Sequence, residues 1–297
     1  MEIKQNSPRA WLLAARPKTL SAAIIPVIVG TALALHHQSL HPLTALLCLL
    51  FAALMQVAAN FINDLYDFRK GSDRDDRLGP ERACAQGWIS TRAMAAGIGV
   101  TLAAACLAGL GALLSASGRM EYGGWEMAAT GLVCVVFAFL YTTRLSYWGW
   151  GDVLVVVFFG LVPVGGTYYL QAGTVTWDAV IASLSCGLLI DTLLMVNNYR
   201  DREQDRLSGK RTLVVCLGER FGRYAYLLLG VSATAFALWF ANGWDVALPL
   251  LYLALHIRTW QRMVAIGHGK KLNSILGETS RNMLFMGVML AATILLP

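Results

Sequence analysis

The run ALLCLLFAALMQVAANFINDLYD, residues Ala45–Asp67, decides how this chain folds. It is an apolar stretch of membrane-spanning length that ends in amides and carboxylates. A second run repeats the pattern: AVIASLSCGLLIDTLLMVNNYRDREQD, Ala179–Asp205. Asn63 and Asp67 are spaced i, i+4, and so are Asn197, Asp201 and Asp205. On a helix that spacing stacks side chains on one face. Carboxylates beside a bilayer are costly unless something polar pairs with them. Capped helix ends with ordinary surface charge would explain one such stretch. Two with matching spacing, both followed by Arg and Lys, predict a pair of acidic faces meeting around a cation and a polyphosphate.

Composition sets the frame. The 297 residues are 57% hydrophobic and 14% charged, and the mean hydropathy is +0.55. About 20 apolar residues cross a bilayer as a helix. Nine spans are predicted, near 19–36, 41–63, 93–116, 124–142, 151–171, 178–198, 224–241, 246–261 and 282–297. With the N-terminus inside, every Lys and Arg except Arg119 falls on the inner side of this plan, as the positive-inside rule requires. The C-terminus then lies outside, and both acidic stretches face the cytoplasm. The net charge of +6 is thus a product of topology and of an anionic substrate; nucleic-acid binding is not needed to explain it. Ala32-Leu33-Ala34 resembles a secretory cleavage site, but eight further spans follow and cleavage would upset the charge parity. Residues 1–18 are expected as a polar entry, with Arg16 either facing the site or anchoring the first span by snorkelling. The first and second groups of four spans, about 11–145 and 146–265, each carry one acidic stretch on their second helix. That suggests a duplicated unit within a single domain, 1–297, closed by a last helix at 282–297.

Other features are bland or weak. His36, His37 and His41 have no ligand-spaced partners and read as interfacial polarity. His256 and His268 read as structural. The six cysteines make no CxxC pair. Gly209-Lys210-Arg211 lacks the rest of a phosphate-loop signature, yet Lys210 and Arg211 are well placed for an anion. Arg144, in the short inner turn after Tyr141, is a plausible anion contact. Asp191 lies within a span, so it either pairs with a ligand or bonds a neighbouring helix. No Ser/His/Asp or Cys/His nucleophile set is apparent. A diphosphate head held at the interface with a hydrocarbon tail in lipid fits these residues, because metal and Arg/Lys donors stabilise a diphosphate leaving group.

The chain resembles the UbiA superfamily of intramembrane prenyltransferases. Asn63-Asp64-Leu65-Tyr66-Asp67 matches its NDxxD motif, and Asp201-Arg202-Glu203-Gln204-Asp205 matches its DxxxD motif. Arg16-Pro17-Lys18-Thr19-Leu20, Asp76-Arg77-Leu78-Gly79-Pro80 and Asn197-Asn198 through Leu213 place it nearest the branch that prenylates 1,4-dihydroxy-2-naphthoate for menaquinone. The resemblance implies an all-α integral membrane protein, nine transmembrane helices with a cytoplasmic cap of loop helices. It implies Mg²⁺ held through a polyprenyl diphosphate by Asn63, Asp67, Asp201 and Asp205, and transfer with loss of the acceptor's carboxylate. Asp67, Asp201, Lys210 and Arg211 would be catalytic. Asn60, Asp64, Asp73, Arg77, Arg82, Tyr141, Arg144, Asp191 and Asn198 would contact substrate. Many relatives carry a further Asp four residues after the equivalent of Asp67; here Gly71 stands there and Asp73 is the next acid. The alternatives are another aromatic acceptor (4-hydroxybenzoate or homogentisate), a CDP-alcohol transferase, whose acidic motif would form one compact block, and a transporter.

Overall fold

A computed structural model describes residues 3–71, 78–143 and 149–296. Each of the nine expected spans falls on a helix: α2 (Pro17–His36), α3 (Pro42–Arg69), α4 (Thr91–Ser115), α5 (Trp125–Thr143), a composite of α6 (Gly151–Val155), a π-helical section (Val156–Gly165) and α7 (Gly166–Ala172), then α8 (Trp177–Leu207) and, after the short α9 (Leu213–Leu217), α10 (Glu219–Ala237), α11 (Ala247–Ile266) and α12 (Leu272–Leu295). Among the described residues, six of these segments are long and apolar enough to cross a bilayer unaided, and α5 is a shorter apolar helix. The remaining two, α11 and α12, owe their place to packing. No strand occurs among the described residues.

Three expectations need correcting. Residues 8–15, expected as part of a polar entry outside the spans, form a helix, α1 (Pro8–Ala15), started by Ser7, whose Oγ accepts the Ala10 N–H at 3.3 Å. Its Trp11 ring packs edge-on against Phe61 of α3. The last helix begins at Leu272, ten residues before the expected 282, because its first turns are amphipathic rather than apolar. The acidic helices also run on: α3 to Arg69 and α8 to Leu207, well past the apolar stretches that end near 63 and 198. Hydropathy sees where apolar residues stop; the backbone continues, and so keeps both motifs helical.

Close packing explains the glycines. Gly160 of the π section meets Gly187 of α8 so tightly that a Cβ on Gly160 would lie 2.4 Å from the Ser183 carbonyl oxygen and 2.8 Å from the Gly187 Cα. The centre of the bundle is α2, α8 and α12, with Ile25, Leu33, Leu189, Met286 and Leu290 fully enclosed. A second core joins α1, the inner half of α3, the start of α4 and the connection between α3 and α4 through Ala83, Cys84 and Ile89.

Side chains identify the two ends of the bundle. At one end, His37 Nδ1 pairs with the Tyr168 hydroxyl at 2.7 Å and its Nε2 lies 3.4 Å from Asp178, which also accepts the Trp239 indole N–H at 2.9 Å. His37, expected as interfacial polarity, therefore ties the end of α2 to α7 and α8. Arg119 sits at this end too, donating to the Leu170 and Ser115 carbonyls and to Thr44. The acidic motifs lie at the other end, so the one basic residue that broke the charge plan does lie apart from them.

Candidate active site

The first motif is built around Asp64. Its carboxylate is 1% exposed, and its two oxygens accept the backbone N–H groups of Ala83 (2.9 Å) and Cys84 (2.8 Å). Charge-assisted bonds of this kind contribute about 1.5–3 kcal/mol each. They clamp the connection after α3 over the end of that helix. Arg16 reaches to 4.0 Å of the same carboxylate. It does so from an αL backbone (φ 51°) at the α1–α2 corner, a conformation unusual for a non-glycine residue. One turn deeper, the Asn60 amide donates to the Ala15 carbonyl and to Thr19 Oγ1, fixing the same corner. Asn60 and Asp64, expected at the substrate, are committed here to the protein's own chain. Asn63 and Asp67 are the members of the motif left half-buried. Asp67 pairs with Arg82 at 3.1 Å, on the connection that Asp64 clamps.

The second motif repeats the pairing of acid with base. Asp201 receives a two-pronged contact from Arg200, Nε to Oδ1 at 2.7 Å and Nη2 to Oδ2 at 2.6 Å. Arg200 is itself buried, and its Nη1 donates to Asn273 Oδ1 at 2.8 Å. Asp205 lies 3.6 Å from Lys210. It stands past the spanning part of α8, since 31 helical residues measure about 46 Å against about 30 Å of hydrocarbon. Burial pushes its carboxyl up to about 6, with Lys210 opposing. Arg202 stacks over the Tyr199 ring, and Asn198 is buried on the inner face. The Arg211 side chain is exposed, while its backbone packs against Gly149, where a Cβ would lie 2.6 Å from the Arg211 carbonyl oxygen. Asp73, Arg77 and Arg144 lie outside the described residues.

Asn273 joins the two halves. Its Oδ1 accepts from Arg200 beside the second motif, and its Nδ2 donates to the Leu78 carbonyl on the connection after the first, at 2.8 Å. The acidic ends of α3 and α8, more than a hundred residues apart, therefore share one end of the bundle. Neither Arg200 nor Asn273 was singled out in sequence. Arg200 was visible next to Asp201; Asn273 sits in an undistinguished polar stretch and carries no signal of its own.

Asn63, Asp67, Asp201 and Asp205 offer only hard oxygen ligands, the donor set that suits Mg²⁺. Among the described residues no group of three or more His, Cys, Asp or Glu side chains stands close enough to hold a metal ion alone. Each of the three carboxylates faces a cation on the same end of the bundle. This arrangement fits a metal whose coordination is completed by phosphate oxygens, with Arg and Lys side chains beside the same anion.

Tyr141 and Asp191 belong to a deeper region. The Tyr141 hydroxyl is within electrostatic reach of Asp152, Asp191 and Asp205. Asp191 is 2% exposed and lines a cavity of about 300 Å³ between α8 and α10.

Known proteins resemble the chain in sequence and fold. A sequence model of the UbiA prenyltransferase family matches residues 23–291. The 1,4-dihydroxy-2-naphthoate octaprenyltransferase of Haemophilus influenzae is 38% identical over 257 residues, covering 82% of this chain and 83% of that protein. The protein of the same name from Escherichia coli is 41% identical over 228 residues, 75% and 73% of the two chains. Among solved structures, a UbiA homolog from Archaeoglobus fulgidus bound to DMAPP and Mg²⁺ superposes with a TM-score of 0.61 at 18% identity, over 96% of this chain and 98% of that one, a likeness of fold. With its two acidic helix ends gathered at one end of a bundle of membrane-spanning helices, the chain belongs to the UbiA prenyltransferase family.

Proposed function

We propose that the protein transfers a polyprenyl group from an allylic diphosphate to 1,4-dihydroxy-2-naphthoate, with loss of carbon dioxide and diphosphate, to give demethylmenaquinol. The observation that carries this reading is the Arg200–Asn273–Leu78 link, which sets both acidic motifs at one end of the bundle. The identity to naphthoate octaprenyltransferases supports the choice of acceptor.

Asn63, Asp67, Asp201 and Asp205 would hold magnesium through the diphosphate. Magnesium supplies Lewis-acid stabilisation of the leaving group there. Arg82, Lys210 and Arg211 neutralise the remaining charge, with Arg77 and Arg144 assigned the same role by resemblance and Asp73 assigned to the first motif's side of the site. Asp64 and Asn60 act through the chain they hold, keeping Arg82 and the α1–α2 corner in position. Asn198 and Tyr141 line the way from the diphosphate to the interior. The prenyl tail lies between helices and leaves into lipid. The site faces the cytoplasm, with the N-terminus on that side and the C-terminus outside, as the distribution of Lys and Arg requires.

The experiment is mass spectrometry of the product formed by purified protein from dihydroxynaphthoate, a polyprenyl diphosphate and Mg²⁺. A prenylated, decarboxylated naphthoquinol supports the assignment. Turnover of 4-hydroxybenzoate or homogentisate instead would keep the reaction class and overturn the acceptor. Full activity in both Asp67→Ala and Asp201→Ala would overturn the metal assignment.

A further inference from the structure

Two carboxylates at the deeper cavity have no part in the diphosphate site. Asp191 is 2% exposed and Asp152 8%, and one oxygen of each is buried with no hydrogen-bond partner among the described residues. Both line the same cavity of about 300 Å³, whose remaining walls are mostly apolar, with Met195, Leu213, Phe221, Leu228 and Leu229, beside Tyr224 and Ser232. A buried polar atom without a partner costs about 1–3 kcal/mol, and two on residues that line one cavity are a strong signal of a missing donor. The position along α8 is also informative. Asp191, Asn198 and Asp205 succeed one another at seven-residue steps, which on a helix drift by only about 20° each. The cavity therefore opens on the same face as the second motif, about 10 Å below Asn198 at 1.5 Å per residue.

We propose that Asp152 and Asp191 form the binding site for the hydroxyl groups of a dihydroxylated arene, whose ring lies against the apolar walls. Two rigidly separated O–H donors on a flat apolar frame supply what the two orphan oxygens need, and the cavity has room for one bicyclic ring system. A divalent metal is disfavoured, because two carboxylates fall far short of the six oxygens it takes. The proposal names the acceptor's place in the reaction proposed above and rests on that reading for its relevance to turnover.

The test is calorimetric titration of the purified full chain with 1,4-dihydroxynaphthalene, without metal or prenyl diphosphate. The diol should bind wild type at least tenfold more tightly than naphthalene does. Asp191→Leu and Asp152→Leu should each weaken it at least tenfold, with Asp→Asn, which keeps one acceptor, recovering part of the loss. Affinity for prenyl diphosphate with Mg²⁺ should stay within about twofold in all four variants, and their melting temperatures should not fall. Equal binding of diol and naphthalene, or unchanged diol binding in both Leu variants, would overturn the proposal. So would Leu variants that melt well below wild type, since the carboxylates would then be structural. If the enzyme instead prenylates another acceptor while the diol still binds as expected, the functional reading fails and this site stands.

Discussion

The two acidic helices solve the same problem differently. On α3 the most buried acid, Asp64, has both oxygens satisfied by the backbone of the following connection. On α8 the most buried acid, Asp191, keeps an oxygen with no partner among the described residues. Both are nearly inaccessible, at 1% and 2% exposure, so burial alone does not separate a structural carboxylate from a ligand-seeking one. The hydrogen-bond inventory does. α3 uses its carboxylate to hold the protein, and α8 leaves one waiting.

The largest effects expected test that contrast at the motifs themselves. Asp64→Ala strands two buried N–H groups and should lower stability by roughly 2–5 kcal/mol, read as a fall in melting temperature in detergent. Asp205→Ala should change stability by less than about 1 kcal/mol, because its contact with Lys210 is longer and partly exposed. If Asp64→Ala melts like wild type, the contrast between the helices is wrong. Asp201→Ala should reduce Mg²⁺-dependent prenyl transfer by roughly 100-fold or more, measured with radiolabelled donor under conditions where the protein remains inserted. The packing seams come next. Gly160→Ala forces a Cβ into the α8 backbone and should cost about 1–3 kcal/mol. Gly109→Ala, on the α3–α4 seam, meets only the edge of the Phe51 ring at 3.1 Å and should cost less than about 1 kcal/mol. A comparably small effect is expected at the far end of α3: Thr44→Val removes bonds to Ser115 and Arg119, for about 1 kcal/mol by thermal melting.

Much of this was legible in the chain beforehand. Apolar length located the spans, and the i, i+4 spacing of Asn63 with Asp67 and of Asp201 with Asp205 marked the motifs, because both signals are local. The distribution of Lys and Arg gave the parity that brings the motifs to one end. What was not legible depends on partners distant in sequence. Nothing local tells Asp64, clamped on Ala83 and Cys84, from Asp67, which pairs with Arg82. α1 was missed because eight residues with a single-sided apolar face look like a polar lead-in. Asp152, next to a glycine at the start of α6, gained meaning only when packing set it beside Asp191.

Asn273 has one more consequence. It belongs to the first turn of α12, which is made after both acidic helices. A nascent chain already carries both acidic helices when that turn is still unmade, yet lacks the strut between them. The Asn273 link waits on α12, so truncation before Asn273 should silence the enzyme although both acidic motifs survive.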